Sequence, residues 1–124
     1  MNSSSARQFF HHEILAPDEY IDLAKAALYI AQDEYSQLDI EEYLNAIDAM
    51  ATELEERLPI ERYPLKIIQC INQYLYDDLN FTGNVQNYYD PRNSFLNDVI
   101  ERRVGIPITL ALLYIEIARR IDFP

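Results

Sequence analysis

The 124-residue chain contains few glycines, cysteines and basic residues. Two glycines are too few for the many tight turns of a small all-β fold, so a helical class is favoured. The one cysteine, Cys70, excludes an internal disulfide and fits a reducing compartment, so we expect a cytoplasmic protein. Residues 1–6 carry no secretory pattern, and no apolar run approaches the ~20 residues that a membrane helix requires. We therefore expect no membrane partner.

Acidic residues outnumber basic residues 21 to 10, which gives a formal net charge of −11. The excess lies in residues 1–61, with 14 acidic residues against three basic ones, whereas residues 62–124 balance seven against seven. Such a field repels nucleic-acid phosphates, so no nucleic-acid partner is expected. The acidic half is either a solvated face or a scaffold for a basic partner. The scaffold would use Glu41, Asp48, Glu55 and Glu56.

Apolar spacing divides the chain into a lead, residues 1–16, which we expect to be partly disordered, and a helical domain, residues 17–124. The first domain helix is predicted from Pro17 to about Glu34. The second follows over residues 39–58, with Asp39 as its cap. The short connection predicts an antiparallel helical hairpin.

A third helix is predicted from Pro64 to about Leu79, and Cys70 inside it is expected to be a buried, inert thiol. After the Gly83-Asn84 turn, a short helix should begin at an Asn93 or Ser94 cap and end before a break at Gly105.

The last helix, Pro107–Ile121, is apolar around almost its whole circumference. A helix of this kind must be covered on several sides, so it should be central, with the hairpin packed on it. We therefore predict an all-α fold of about five helices. Any uncovered side of Pro107–Ile121 would be an apolar patch that binds a protein partner or a second copy.

A polar cluster precedes the last helix and is the candidate ligand or partner surface, in which an arginine could hold a carboxylate through two hydrogen bonds. The alternative is structural: the Asp and Asn side chains tie the turn, and the arginines pair with Asp98 and Glu101. The cluster consists of Asp90, Arg92, Asn93, Asn97, Arg102 and Arg103.

Three consecutive segments carry a family resemblance: Tyr89–Ser94 (YDPRNS), Phe95–Arg103 (FLNDVIERR) and Gly105–Ile108 (GIPI). Together they resemble the hallmark of the SirB-type transglutaminase-like family, and the upstream helical segments are similar to the N-terminal region of that family. The resemblance implies the truncated, helical half of a transglutaminase-like domain.

Transglutaminase-like enzymes place a nucleophilic cysteine at the start of their central helix, where free N–H groups favour a thiolate. In the resemblance that position falls on Pro107, which has neither a nucleophile nor an N–H. Thr109 offers a hydroxyl without an evident base. The family's His and Asp would lie beyond residue 124, and His11 and His12 are at the opposite end of the chain.

These observations predict no catalytic residue, no cofactor and no metal site, since the adjacent His11 and His12 would point apart on a helix. The first hypothesis is a non-catalytic protein-interaction or regulatory module derived from a transglutaminase-like protein. The alternative is a fragment of a larger hydrolase or acyltransferase that carries its His and Asp in further chain.

Overall fold

The computed structural model describes residues 3–14 and 22–123. In these ranges the chain forms six α-helices and one two-stranded sheet, so the predicted all-α class is confirmed. The number of helices exceeds the expected five because residues 3–14 of the lead are helical. The predicted helix start at Pro17 lies outside the described residues. The helices are α1 Ser3–Ile14, α2 Leu23–Glu34, α3 Ile40–Arg57, α4 Pro64–Asn72, α5 Leu96–Arg102 and α6 Pro107–Arg120; the strands are β1 Thr82–Gly83 and β2 Val104–Gly105.

Side-chain caps begin the two helices of the hairpin. Asp22 accepts a hydrogen bond from the Lys25 N–H at 3.0 Å, and Asp39 accepts one from the Glu41 N–H at 3.1 Å. Each cap satisfies an N–H that the helix itself leaves without a partner. The predicted cap at Asp39 is therefore confirmed.

The core forms where α2 and α3 pack on α6, as the apolar pattern predicts. Removing these side chains from water is the main favourable term in folding. The largest fully buried apolar side chains include Leu28, Ile47, Leu54, Ile71, Leu75, Leu113 and Ile117.

The predicted third helix consists of α4 and a π-helical segment, Gln73–Asp78, that follows it directly. The segment places Tyr74 in the core, where its hydroxyl donates to Glu53 Oε2 at 3.0 Å, and the guanidinium of Arg57 lies over its ring. Cys70 is half-buried rather than fully buried as expected, because it borders a cavity of about 230 Å³ beside Arg57.

The two strands join the end of the π-helical segment to the start of α6. They run parallel, and the N–H groups of Thr82 and Asn84 donate to the carbonyl oxygens of Arg103 and Gly105, each at 2.9 Å. As predicted, α5 ends before Gly105, but the residue that ends it is Arg103, which adopts the left-handed conformation (φ 59°), and not the glycine.

Gly105 is required for packing rather than for a turn. A Cβ atom at this position would lie 2.8 Å from Thr109 Oγ1 and 3.2 Å from both methyl groups of Val99. We expect Gly105→Ala to lower the free energy of unfolding by about 1–3 kcal/mol, because this tight site must shift to admit a methyl group. Urea denaturation followed by circular dichroism measures the loss.

The matched control is Gly83→Ala, since a Cβ at residue 83 meets no atom within 4 Å. Its effect should stay within about 0.5 kcal/mol. Equal losses of unfolding free energy in the two variants would show that crowding by Thr109 and Val99 is not the reason why Gly105→Ala is destabilising.

Candidate functional site at the start of the central helix

Asp90 and Arg92 form a tight ion pair in the polar turn, residues 87–93, that leads into α5. Asp90 Oδ1 accepts the backbone N–H of Arg92 at 3.0 Å, and Oδ2 accepts Arg92 Nη2 at 2.6 Å. Arg102 approaches the same carboxylate, with Nη2 3.8 Å from Oδ2. Hydrogen bonds from Arg92 lower the pKa of Asp90 to about 2, so the carboxylate is ionised at every physiological pH.

Asn93 is fully buried, and its amide group holds the turn closed. Nδ2 donates to the carbonyl oxygens of Asn87 and Tyr88, both at 3.0 Å, and Oδ1 accepts a hydrogen bond from Asn84 Nδ2 at 3.1 Å. The Asn93 side chain uses its amide nitrogen and its oxygen for these bonds. It does not cap a helix, so the prediction that it does is wrong. The backbone of Phe95 precedes α5 instead, without a side-chain cap.

Thr109 joins the polar turn to α6. Its hydroxyl oxygen lies 2.8 Å from the Asn93 carbonyl oxygen, to which it donates, and accepts the Ile106 N–H at 3.1 Å. The side chain is buried, and its proton is committed to a carbonyl group rather than to a base. A nucleophilic role would require a base within hydrogen-bond reach.

Pro107 is the first residue of α6 and is exposed. Proline suits this helical position because its missing N–H would have no partner within the helix. Pro107 therefore fulfils a structural role at the start of α6 and supplies no reactive atom.

The structure brings together only part of the predicted polar cluster. Asp90, Arg92 and Arg102 form one ionic group, and Asn93 lies next to it along the turn. Arg103 instead donates to the Leu79 carbonyl oxygen at 2.8 Å, which ties α5 to the end of the π-helical segment. Asn97 is buried in α5, and its Oδ1 has no hydrogen-bond partner among the described residues.

The acidic residues of α5, Asp98 and Glu101, bind tyrosines. The sequence analysis had offered arginines of the polar cluster as their partners. The Tyr35 hydroxyl donates to Asp98 at 2.7 Å, and the Tyr43 hydroxyl donates to Glu101 at 2.9 Å. These contacts fasten α5 to the hairpin. Sequence reasoning missed them because each joins residues about 60 positions apart.

The raised pKa values of two tyrosines predict that the protein loses stability at alkaline pH. Burial and a hydrogen bond to Glu101 raise the pKa of Tyr43 to about 12, and burial and Glu53 do the same for Tyr74, from 10.0 in each case. Because the folded-state pKa is the higher one, the stabilising contribution is complete below pH 10 and is lost between pH 10 and 12.

Urea denaturation at a series of pH values tests this expectation. The double variant Tyr43→Phe, Tyr74→Phe should lose less stability over that pH range than the unmodified chain. The control is Tyr89→Phe, at an exposed position. An unchanged pH dependence in the double variant would assign the alkaline loss to other groups.

A buried acid in α6 was also missed. Glu116 is 2% exposed and lies 2.7 Å from Arg120 Nη1 and 3.3 Å from Arg119 Nη1. Arg120 Nε also donates to Asp48 of α3 at 2.6 Å. The i, i+4 spacing of Glu116 and Arg120 was the available signal. Asp48, one residue of the predicted acidic scaffold, thus holds α3 against α6.

One face of α6 remains exposed and apolar; we call it the α6 stripe, comprising Ile108, Ala111 and Ile115. Ile108 is 74% exposed and Ile115 46% exposed, and Ala111 lies between them. Residues at this spacing share one side of a helix. The uncovered side that the sequence analysis anticipated therefore exists.

Two further features bear on the kind of site. Within residues 3–14 and 22–123, no group of three or more His, Cys, Asp or Glu residues is arranged to hold a metal ion. The described helices include none with the length and apolar character needed to cross a bilayer.

Comparisons with known proteins identify the superfamily of the chain. Residues 41–124 match the family described as the transglutaminase-like superfamily. The match covers more than half of the chain, and the chain belongs to this superfamily. No solved structure matches.

Three relatives show the context in which similar sequences occur. A UPF0162 protein of Xylella fastidiosa (strain Temecula1) is 45% identical over 111 residues, which is 86% of this chain and 38% of the relative. Human F-box only protein 21 is 31% identical over 130 residues, 87% of this chain and 21% of the relative. A UPF0162 protein of Vibrio cholerae is 32% identical over 72 residues, 58% of this chain and 27% of the relative. The chain thus spans well under half the length of these relatives.

Proposed function

We propose that this chain is a non-catalytic protein-interaction module of the SirB type within the transglutaminase-like superfamily. Its binding surface is the α6 stripe, and the occupant of that surface is a second copy of the chain. The observation that carries the proposal is the exposure of Ile108 and Ile115 on the central helix of the fold.

The chemistry at the start of α6 supports a role without catalysis. Pro107 occupies the nucleophile position, and the Thr109 hydroxyl is hydrogen-bonded to the Asn93 carbonyl oxygen. A Cys-His-Asp mechanism needs a thiolate and its base in contact. The one cysteine of the sequence, Cys70, lies in α4 and not at the start of α6.

The composition of the α6 stripe supports burial against another apolar surface. The three stripe residues are uncharged. Glu116, which follows Ile115 in the chain, is buried in the core and is therefore not part of the exposed face. Exposed apolar surface on a soluble domain marks contact sites when it is contiguous. Ala111, in the middle, allows a facing helix to approach closely because it has a small side chain.

A second copy suits this surface because a twofold interface uses the same patch on both partners. The α6 stripe of one chain presents the same apolar residues as that of its partner, so each can cover the other. The net charge of −11 opposes association at low ionic strength. Added salt should therefore strengthen the dimer through screening.

The variant Ile108→Gln tests the contribution of the α6 stripe. It should raise the dimer dissociation constant about tenfold, because an isoleucine that is mostly exposed in the monomer can no longer be buried. Analytical ultracentrifugation measures the constant. The control is Ile60→Gln, the same substitution at a fully exposed position outside α6, which should leave the constant unchanged. Equal effects of the two variants would contradict the assignment.

The absence of catalysis has a separate test. The purified chain should transfer no amine to a glutamine peptide and should hydrolyse no amide substrate. Turnover by the unmodified chain that disappears in Thr109→Ala would overturn the non-catalytic part of the proposal. Dimerisation would be unaffected by that result, so the two parts can fail independently.

The second candidate function is that of a segment of a larger transglutaminase-like hydrolase or acyltransferase. It is favoured by the relatives, of which this chain matches 38% or less. The rest of a longer protein would then cover the α6 stripe and supply the His and Asp. The intact mass of the gene product from its own cells distinguishes the two: a mass near 14.6 kDa supports the first candidate, and a much larger mass supports the second.

A further inference from the structure

A pocket of about 310 Å³ lies where the ends of α3 and α6 meet the start of α4. Its volume falls at the lower end of the range typical of small-molecule sites, roughly 300–1,000 Å³. The pocket shares no residue with the α6 stripe or the polar turn. Its lining consists of Glu55, Arg62, Pro64, Ile67, Ile121, Asp122 and Phe123.

The inner part of the pocket is apolar. Ile67 and Ile121 belong to the buried core, and Phe123 packs against that core. The end of α6 fixes Phe123, because the Phe123 N–H donates to the Ala118 carbonyl oxygen at 2.9 Å. This bond and the one from Asp122 N–H to the Arg119 carbonyl oxygen are those of a Schellman motif.

The rim carries three exposed charged residues, Glu55, Arg62 and Asp122. Among the described residues, the carboxylates of Glu55 and Asp122 form no hydrogen bond or ion pair. Arg62 donates from Nε to the Pro59 carbonyl oxygen at 3.1 Å, which leaves its terminal nitrogens without a described partner. By contrast, Arg57 and Arg120 each bind a carboxylate within the protein.

We propose that this pocket binds a free α-amino acid with an apolar side chain. The two carboxylates suit an ammonium group, and the terminal nitrogens of Arg62 suit a carboxylate held through two hydrogen bonds. The apolar floor of Ile67, Ile121 and Phe123 accommodates the side chain. A small zwitterion with an apolar side chain would use the carboxylates, the arginine and the apolar floor at the same time. The proposal is independent of the function assigned to the α6 stripe.

The first experiment is a titration of the isotope-labelled full chain with L-leucine, followed by two-dimensional NMR. We expect saturable shift changes at the amides of Ile67, Ile121 and Phe123. N-acetyl-leucine, leucinamide and glycine should each bind about tenfold more weakly or worse, because each lacks one of the three groups that the pocket recognises.

The second experiment repeats the titration with variants. Arg62→Gln and Glu55→Gln should each weaken leucine binding about tenfold, since a charge-assisted hydrogen bond is lost. The control, Glu56→Gln, removes the neighbouring acid of α3, which does not line the pocket.

Several results would overturn the proposal. These are shifts that fail to saturate, shifts outside the pocket, and leucine affinity that is unchanged in Arg62→Gln. Binding of leucinamide as tight as that of leucine would also overturn it, because the pocket would then recognise a peptide N-terminus. Binding of N-acetyl-leucine as tight as that of leucine would reduce the site to an apolar cleft.

Discussion

Replacing Arg120 with leucine should lower the free energy of unfolding by about 3 kcal/mol, the largest loss expected from a single charged residue of this chain. Arg120 binds Glu116 within α6 and Asp48 of α3, with 2.7 Å and 2.6 Å contacts. Asp48 can be rehydrated because its side chain is largely exposed. Glu116 cannot, because it is 2% exposed and keeps only its weaker 3.3 Å contact with Arg119.

The double variant Glu116→Leu, Arg120→Leu separates the penalty of an unpaired buried charge from the value of the pair. Replacing both partners with apolar groups removes the charge that needs a partner, so most of the lost stability should return. Urea denaturation of the two single variants and the double variant gives the coupling energy. Additive losses would show that the two residues act independently and would contradict the network.

The second large effect is expected for Asn93. Replacing Asn93 alone with alanine should lower the free energy of unfolding by about 3 kcal/mol. The substitution removes the buried amide that joins the carbonyl groups of Asn87 and Tyr88 to the amide of Asn84, although the rest of the turn is mostly exposed. The loss should extend to the start of α6, because Thr109 is bonded to the backbone of the same residue.

Amide hydrogen exchange locates the effect. In Asn93→Ala, protection should fall for amides of residues 84–93 and for the hydrogen-bonded amides of Ile106 and Leu110 at the start of α6, and should persist in the hairpin. The control is Asn45→Ala, at an exposed position of α3, which should be neutral or slightly stabilising because alanine has the higher helix propensity. A uniform loss of protection would contradict a local function of Asn93 in the turn.

The elements predicted correctly are those whose signals are local. Asp39 precedes an apolar helical pattern, and Pro107 follows a Gly-Ile pair, so the starts of α3 and α6 could be predicted from neighbouring residues alone. The exposed side of α6 also followed from sequence, because a helix that is apolar around its circumference needs more cover than two helices provide.

The errors concern contacts between distant parts of the chain. Asn93 was expected to cap a helix because asparagine favours caps, but the carbonyl groups of residues 87 and 88 occupy its amide. Arg103 ends α5 in a left-handed conformation, which is uncommon outside glycine, while Gly105 was needed for its small size beside Thr109 and Val99. The bond between Asp48 and Arg120 joins residues 72 positions apart and leaves no local pattern.

Sedimentation equilibrium of the unmodified chain, measured over a range of concentrations at two salt concentrations, tests the central claim most directly. The proposal predicts a reversible dimer with twice the 14.6 kDa mass of the chain, whose fraction rises with protein concentration and with added salt. A single 14.6 kDa species up to about 1 mM would place any dissociation constant in a range too weak for a stable interface. That result would contradict binding of the α6 stripe by a second copy.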